Sequence, residues 1–407
     1  MNAQDCVRQP QRDVYLVGTV TNKMMGHNPR CTLIGLAQEG GAEFCRHMGP
    51  WFRMDMPTFV NGSVYNDGFS GVYIPASQFP SVLGTHLAEH DRSEAGGQTG
   101  FAGAVRLFDA IASGRHDFGI QVGVEKSTDS FDPLTGTATP AVVNNIGLSW
   151  HPWLAYPAGA HASSSYWQIT RAFDHKNPGF LDEDALAELG EYICANGLKN
   201  PKAQRFPEVV TANWIRKSRR FMGRMRLGWS CVYSEGSVVL GMACREVAKE
   251  IAAKTGRPLV RIAGIGSACE STIMGSKPWH KTFWTIESDY IAGQRAYAMA
   301  GVSPEQIRVV GHHGAFLPQT AITLKLLGII RPGETIMDYV KRLRSGSDIL
   351  DYLGGLYFNG HPVGASNGVS ITETYEAMIE NNLEWGLVHA TGGESAVLGG
   401  AMIFHLE

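Results

Sequence analysis

Four stretches of the chain set groups able to hold or move charge beside glycines. They are Ser93-Glu94-Ala95-Gly96-Gly97-Gln98-Thr99-Gly100, His312-His313-Gly314-Ala315-Phe316, the run from Gly354 to Ala365 that carries Tyr357 and His361, and His389-Ala390-Thr391-Gly392-Gly393-Glu394. A glycine turn that opens a helix leaves backbone N–H groups free at the positive end of the dipole, a setting for a developing oxyanion or a thioester oxygen. Imidazoles add groups that donate, accept or carry a proton. Taken one at a time, each stretch is an ordinary turn or a structural histidine.

These segments need a scaffold, and the sequence supplies α/β grammar. Asp13–Val20 predicts a buried strand, Leu33–His47 a helix, Thr99–Ser113 an amphipathic helix stopped by Gly114, and Phe118–Val124 a strand. Residues 127–235 are rich in Pro, Gly, Ser and aromatics with little periodicity. They predict an inserted lid over a site, with helices near 182–196 and 208–217. Periodicity returns at Glu235–Lys254, where Val238, Val239, Met242, Ala243, Val247 and Ile251 predict one long helix. Leu259–Ala263 and Ile307–Val310 predict strands, and Ser288–Ala300 a helix opened by a Ser-Asp cap. RLFDAIASGRHDFGIQVG beside RAYAMAGVSPEQIRVVG suggests a duplicated fold with halves 1–255, lid included, and 256–407.

Composition narrows the function. The chain has 407 residues, 44% hydrophobic and 18% charged, with a formal charge of -3. That is ample for a core and argues against a polyanion or nucleic-acid binder. No apolar run approaches the roughly 18 residues of a membrane helix, and the opening MNAQDCVRQPQRD has no apolar core like that of a signal peptide, so a cytoplasmic protein is expected. Seven scattered cysteines without a CxxC pair predict reduced thiols and no metal site in this chain.

GGLYFNGHPVGAS resembles the GGxxxxGHPxGAS/T signature of the thiolase superfamily, in particular the sterol-carrier-protein-type thiolases. His313-x-x-Phe316 resembles that family's HDxF segment. EAGGQTGFAGAVRLFDAIASGRHDFGIQVGVEKSTD resembles the helix and strand after its nucleophile, and LVHATGGESAVLGGAMIFHLE its final loop and strands. The likeness spans nearly the whole chain and is weakest before residue 90 and through 127–230. It implies a five-layered αβαβα thiolase fold with two similar halves, coenzyme A as co-substrate, a homodimer, and a small partner subunit with an OB fold and a zinc ribbon.

The departures from the family are chemical. The cysteine nucleophile's place falls on Gly97, the second family cysteine's on Ala390, and the HDxF aspartate's on Gly314. None of the seven cysteines lies in these motifs, so the resemblance implies chemistry without an acyl-cysteine. His361 with His313 is then expected to stabilise a thioester enolate, while the N–H groups of Gly97 and Gly392 polarise the other carbonyl. CoA thiol, activated by His389 or His313, would attack directly. The implied reaction is thiolase-type cleavage of a bulky β-ketoacyl-CoA of the benzoylsuccinyl type. The alternatives are a retro-aldolase with Tyr357 as acid/base, and a non-catalytic scaffold subunit of an acyltransferase complex. The basic run Arg216, Lys217, Arg219, Arg220, Arg224 and Arg226 is expected either to meet the phosphates of CoA or to form a solvated face. Trp150, Trp153, Tyr156, Tyr166 and Trp167 are candidates for an acyl pocket, Glu94 for an orienting or helix-start role, and Cys269 is the thiol in a glycine-flanked turn.

Overall fold

The computed structural model describes residues 9–127, 146–147, 149–272 and 286–407. Twelve strands lie among the described residues: β1 Val14–Thr21, β2 Phe59–Ser63, β3 Glu89–Ser93, β4 Phe118–Glu125, β5 Arg220–Met222, β6 Met225–Arg226, β7 Gly236–Cys244, β8 Val260–Cys269, β9 Val309–Gly311, β10 Ile349–Leu350, β11 Trp385–Gly392 and β12 Leu398–Leu406. Strands β5 and β6 form a small hairpin, and the other ten form one mixed sheet in the order β10-β9-β11-β12-β8-β1-β7-β4-β2-β3.

That sheet contains the same unit twice. Numbered within each half, β1, β2, β3, β4, β7 and β8, β9, β10, β11, β12 both lie in the spatial order third-second-fourth-fifth-first. The two units meet through a short antiparallel contact, Tyr15 with Arg261 and Leu16 with Val260. The helices Thr99–Ala112 and Ser366–Asn381 precede the fourth strand of their halves and pack against each other. Their apolar faces, with Phe101, Ala104, Val369 and Tyr375, share one core with both halves of the sheet. A second core lies under Leu33–Met48 and Arg245–Thr255. A third lies under Glu287–Ala300, Leu317–Leu326 and the helices of the 162–217 segment. The result is αβαβα layering with helices on both outer faces.

The two sequence stretches that look alike are not the equivalent ones. The Glu287–Ala300 helix joins the first and second strands of its half, whereas Thr99–Ala112 precedes the fourth strand of the other. Generic helix–strand grammar produced that likeness, while the strand order carries the true repeat.

Two elements differ from expectation for physical reasons. Glu235–Lys254 is the strand β7 followed by the helix Arg245–Thr255 rather than one helix. All nine residues of β7 are buried, and a strand covered on both faces carries a continuous apolar run that periodicity cannot tell from a helix. The Glu287–Ala300 helix has no side-chain cap; Ser288 instead donates its hydroxyl to the Ala396 carbonyl at 3.1 Å.

The described part of the 127–235 segment holds helices Ala162–Lys176, Glu183–Gly197 and Ala212–Lys217, the first of them not expected. The first buries Tyr166, Ile169, Thr170 and Phe173, an i, i+3, i+4, i+7 stripe just after the glycine- and proline-rich run.

Candidate active site

The sequence singled out turns, and the fold brings several of them to one cavity. The Gly96–Gln98 3-10 turn opens the Thr99–Ala112 helix, His313 follows β9, His361 precedes the Ser366–Asn381 helix, and Thr391-Gly392 end β11. Together with Tyr65, Trp150, Tyr166, Cys231, Tyr233 and Phe316 they line a cavity of about 170 Å³.

Gly97 faces the imidazoles. A Cβ built there would lie 3.3 Å from both Cε1 and Nε2 of His313, and 2.9 Å from the Thr391 carbonyl oxygen. The position that a nucleophile would occupy is therefore aimed at His313 and closed against a side chain. Gly392 is needed for another reason: its Cβ would meet the Ala95 carbonyl oxygen at 2.5 Å and the Gln98 nitrogen at 2.6 Å. Bare backbones let the two turns touch. Glu94 Oε1 accepts the Gly96 N–H at 2.6 Å and so fixes the first turn.

The hydrogen bonds assign different tautomers to the two imidazoles. The Asn367 amide nitrogen, a donor only, is 3.2 Å from His313 Nδ1. That nitrogen is then the acceptor, and Nε2 carries the hydrogen that faces Gly97. At His361, Nδ1 lies 2.5 Å from the Ser366 hydroxyl. That hydroxyl donates its one hydrogen to the Pro362 carbonyl at 3.1 Å, so Nδ1–H donates to Ser366 and Nε2 keeps its lone pair. The rings meet edge to face at 5.0 Å, and Tyr233 lies parallel to His361 at 6.3 Å. Burial pushes His361 down to about 4 and His313 well below the usual histidine range, so both are neutral at neutral pH.

Glu125 holds this loop in place. Its Oε2 accepts the Gly364 N–H at 2.9 Å and the Tyr65 N–H at 3.2 Å, while burial pushes its carboxyl up to about 8. Sequence reasoning missed Asn367 and Glu125. The first lies two residues after the GHPVGA run, and the second is the Glu of Gly-Val-Glu-Lys.

Tautomer assignment makes a prediction. Asn367→Asp replaces a donor with an acceptor and draws hydrogen to His313 Nδ1, leaving Nε2 bare. The expected result is a kcat loss of about a hundredfold, in the range of a lost oxyanion donor, with Asn367→Gln milder. Steady-state kinetics of the two variants check it.

Other candidates lie elsewhere. Tyr357 is buried outside the cavity, and its hydroxyl donates to the Gly228 carbonyl; the tyrosine beside His361 is Tyr233. His389 is fully buried behind the cavity wall and stacks on His312. Cys269 is exposed at the end of β8. Of the five aromatics, Trp150 and Tyr166 line the cavity. Trp153 is 84% exposed, Tyr156 lies over Gly147, and Trp167 packs on Gly223.

Four of the six basic residues are already paired. Arg216 meets Asp184 and Glu188, Arg220 and Arg226 meet Glu183, and Arg224 meets Glu183 and Asp174. Lys217 and Arg219 are exposed and form no ion pair among the described residues. They adjoin the β5–β6 hairpin, whose Gly223 rests on Trp167 of the helix that brings Tyr166 to the cavity.

Cys231 is a wall residue that sequence reasoning passed over. Its backbone N–H donates to the Ala315 carbonyl at 2.9 Å. Burial pushes its thiol up to about 12, and the cation acting on it is Arg205 rather than an imidazole. The thiol is thus held protonated, unlike an activated nucleophile.

Two imidazoles, backbone turns and aromatic side chains thus line one cavity, an arrangement able to polarise a carbonyl and hold a developing oxyanion. Comparison with known proteins agrees. A family described as Thiolase C-terminal domain-like matches residues 277–404. An acetyl-CoA acetyltransferase of Methanothermobacter thermautotrophicus is 26% identical over 346 residues, 81% of this chain and 85% of that one. Benzoylsuccinyl-CoA thiolase subunit BbsB of Thauera aromatica is 24% identical over 401 residues, 94% and 95% of the two chains. Among solved structures, an Ltp2-ChsH2(DUF35) aldolase superposes with TM-score 0.77 at 17% identity, covering 98% of this chain and 99% of that one. Human mitochondrial 3-ketoacyl-CoA thiolase in complex with CoA gives 0.74 at 13%, covering 98% and 100%. The chain has the thiolase fold, and the match over residues 277–404 together with these relatives supports a thiolase-superfamily protein. Its relatives place it in a family of acyl-CoA acyltransferase-type enzymes.

Proposed function

We propose that the chain cleaves a β-ketoacyl-CoA with CoA as acyl acceptor and without an acyl-cysteine. Benzoylsuccinyl-CoA, giving benzoyl-CoA and succinyl-CoA, is the substrate type we favour. The observation that carries the reading is the imidazole pair, one donor and one base, facing the side-chain-free position Gly97.

The CoA thiol adds to the β-carbonyl carbon and its proton passes to His361 Nε2. The new oxyanion is met by N–H groups of the Gly97 and Gly392 turns. Its collapse breaks the bond between the α and β carbons, and the electron pair enters the thioester enolate. His313 Nε2–H stabilises that enolate oxygen, and the proton on His361 returns to the α carbon. Two acyl-CoAs result. His389, outside the cavity lining, packs on His312 and does not touch substrate.

Size supports an aryl acyl group. An apolar cavity of about 150 Å³ accommodates benzene, and this one measures about 170 Å³ with Trp150, Tyr166 and Phe316 in its wall.

One observation favours a second reading. Tyr233, parallel to His361, would serve the acid/base role first assigned to Tyr357 if the enzyme were a retro-aldolase; the aldolase likeness points the same way. β-Keto and β-hydroxy acyl-CoAs separate the two. Cleavage of the β-keto compound only when CoA is added supports thiolysis, and CoA-independent cleavage of the β-hydroxy compound overturns it. Failure of both, with no CoA binding by calorimetry, favours the scaffold alternative.

CoA's phosphates are assigned to Lys217 and Arg219. Lys217→Ala/Arg219→Ala is expected to raise the KM for CoA by about tenfold at unchanged kcat, as loss of uniform binding does. Arg226→Ala, which removes the most buried of the three arginines that meet Glu183, is expected to lower thermal stability instead. We further propose a cytosolic homodimer working with a small OB-fold, zinc-ribbon subunit. The support is that one relative is named as a subunit and that the aldolase of like fold is a complex with a DUF35 component. No helix among the described residues is long and apolar enough to cross a membrane.

A further inference from the structure

Behind the cavity lies a polar node that the reaction above does not use. In the parallel β9–β11 ladder Val388 pairs with Gly311, which puts His389 opposite His312. Their rings stack at 4.5 Å and 20°. Both residues are fully buried, as is Asp289 of the Glu287–Ala300 helix. Asp289 Oδ2 sits 3.1 Å from His389 Nε2 and accepts the Thr323 hydroxyl at 3.1 Å. Both ring nitrogens of His312 and of His389, Asp289 Oδ1 and the amide of Gln319, one helical turn before Thr323, have no hydrogen-bond partner among the described residues. Leaving such groups buried is destabilising, a heavy cost for a site with no task.

Its position shows where it acts. His313 follows His312 just past the end of β9, and the carbonyl that abuts Gly97 belongs to Thr391, two residues beyond His389 on β11. We propose that Asp289, through His389 and His312, is a positioning residue that sets His313 Nε2–H against the Gly97 gap. The proposal rests on the thiolase reading for its kinetic readout but not for its spectroscopic one.

Asp289→Asn keeps shape and the contact with Thr323 while removing the acid. The expected result is a kcat at least tenfold lower with KM within twofold, and no further loss when the same change is made in His313→Ala. Thr323→Val, which removes a single hydroxyl at the node, is expected to act in the same direction more weakly. Side-chain 15N NMR of the substrate-free protein is expected to show His313 as an Nε2–H tautomer and its resonances moved by Asp289→Asn. Equal fractional losses in both backgrounds, or a lower melting temperature with kcat unchanged, would overturn the proposal. So would His313 resonances unaffected by the substitution. If the wild type turns over neither substrate class, the NMR arm alone decides, and the failure belongs to the reaction assigned.

Discussion

His361→Ala is expected to lower kcat by about a thousandfold, within the 10²–10⁴ range of general acid–base catalysis. KM is expected to stay within a few-fold, because the ring contacts the travelling proton more than the bound acyl group. The imidazole rests on the Ser366 hydroxyl at one end and parallel to Tyr233 along its face. Its loss therefore leaves the cavity walls standing. A linked expectation concerns pH. Burial puts His361 near 4, and only the neutral ring accepts the thiol proton. The catalytic profile is then flat through pH 6.5, where an ordinary histidine titrates, and falls only toward pH 4. An acid limb centred near 6.5 in the wild type would contradict the assignment.

Gly97→Ala is the second large effect. The added methyl carbon meets a backbone carbonyl at 2.9 Å and the His313 ring at 3.3 Å. Thr391 is part of β11 and pairs there with Gly399 of β12, while β9 holds the same strand at Gly386–Val388, so the strand cannot yield cheaply. Overpacking of this kind costs about 1–3 kcal/mol, and displacing His313 by a fraction of an ångström adds a rate loss of about a hundredfold. Activity is expected to fall much further than thermal stability. Gly97→Cys is expected to fail too: restoring a thiol restores neither room for its Cβ nor the backbone geometry that would receive it. A burst of acyl-enzyme from that variant, seen by rapid quench, would show that the gap accepts sulfur after all.

Much of the frame was legible in the sequence. The strand from Val14, the helix from Leu33 and the helix–strand pair after Gly97 carry period and stop signals strong enough to place within a residue or two. Strand β7 was not, because complete burial erases the alternation that marks a strand. The site was legible to the extent that its residues sit in glycine turns: Gly97, His313, His361 and Gly392 line one cavity. Tyr357 shares a motif with His361, yet its ring turns toward Gly228; adjacency in a motif says nothing about which way a side chain faces. Tyr233 and Cys231 reach the cavity because the Ser230–Phe316 and Tyr233–His361 bridges bring a distant segment alongside. No spacing rule foretells such a contact. The arginines for which the sequence left phosphate binding and a solvated face both open are mostly paired with Glu183, Glu188, Asp174 and Asp184, carboxylates 28 or more residues away in sequence.

Cys231 is the thiol that could replace the missing nucleophile, since it shares the cavity with both imidazoles. The decisive measurement is turnover of the Cys231→Ser enzyme, together with intact-protein mass spectrometry of wild type quenched during steady-state cleavage of a β-ketoacyl-CoA. A kcat within about threefold of wild type, and no acyl mass on the quenched protein, is the predicted result. Abolished turnover, or an acyl group recovered on Cys231, would contradict thiolysis by free CoA and restore a covalent, two-step transfer.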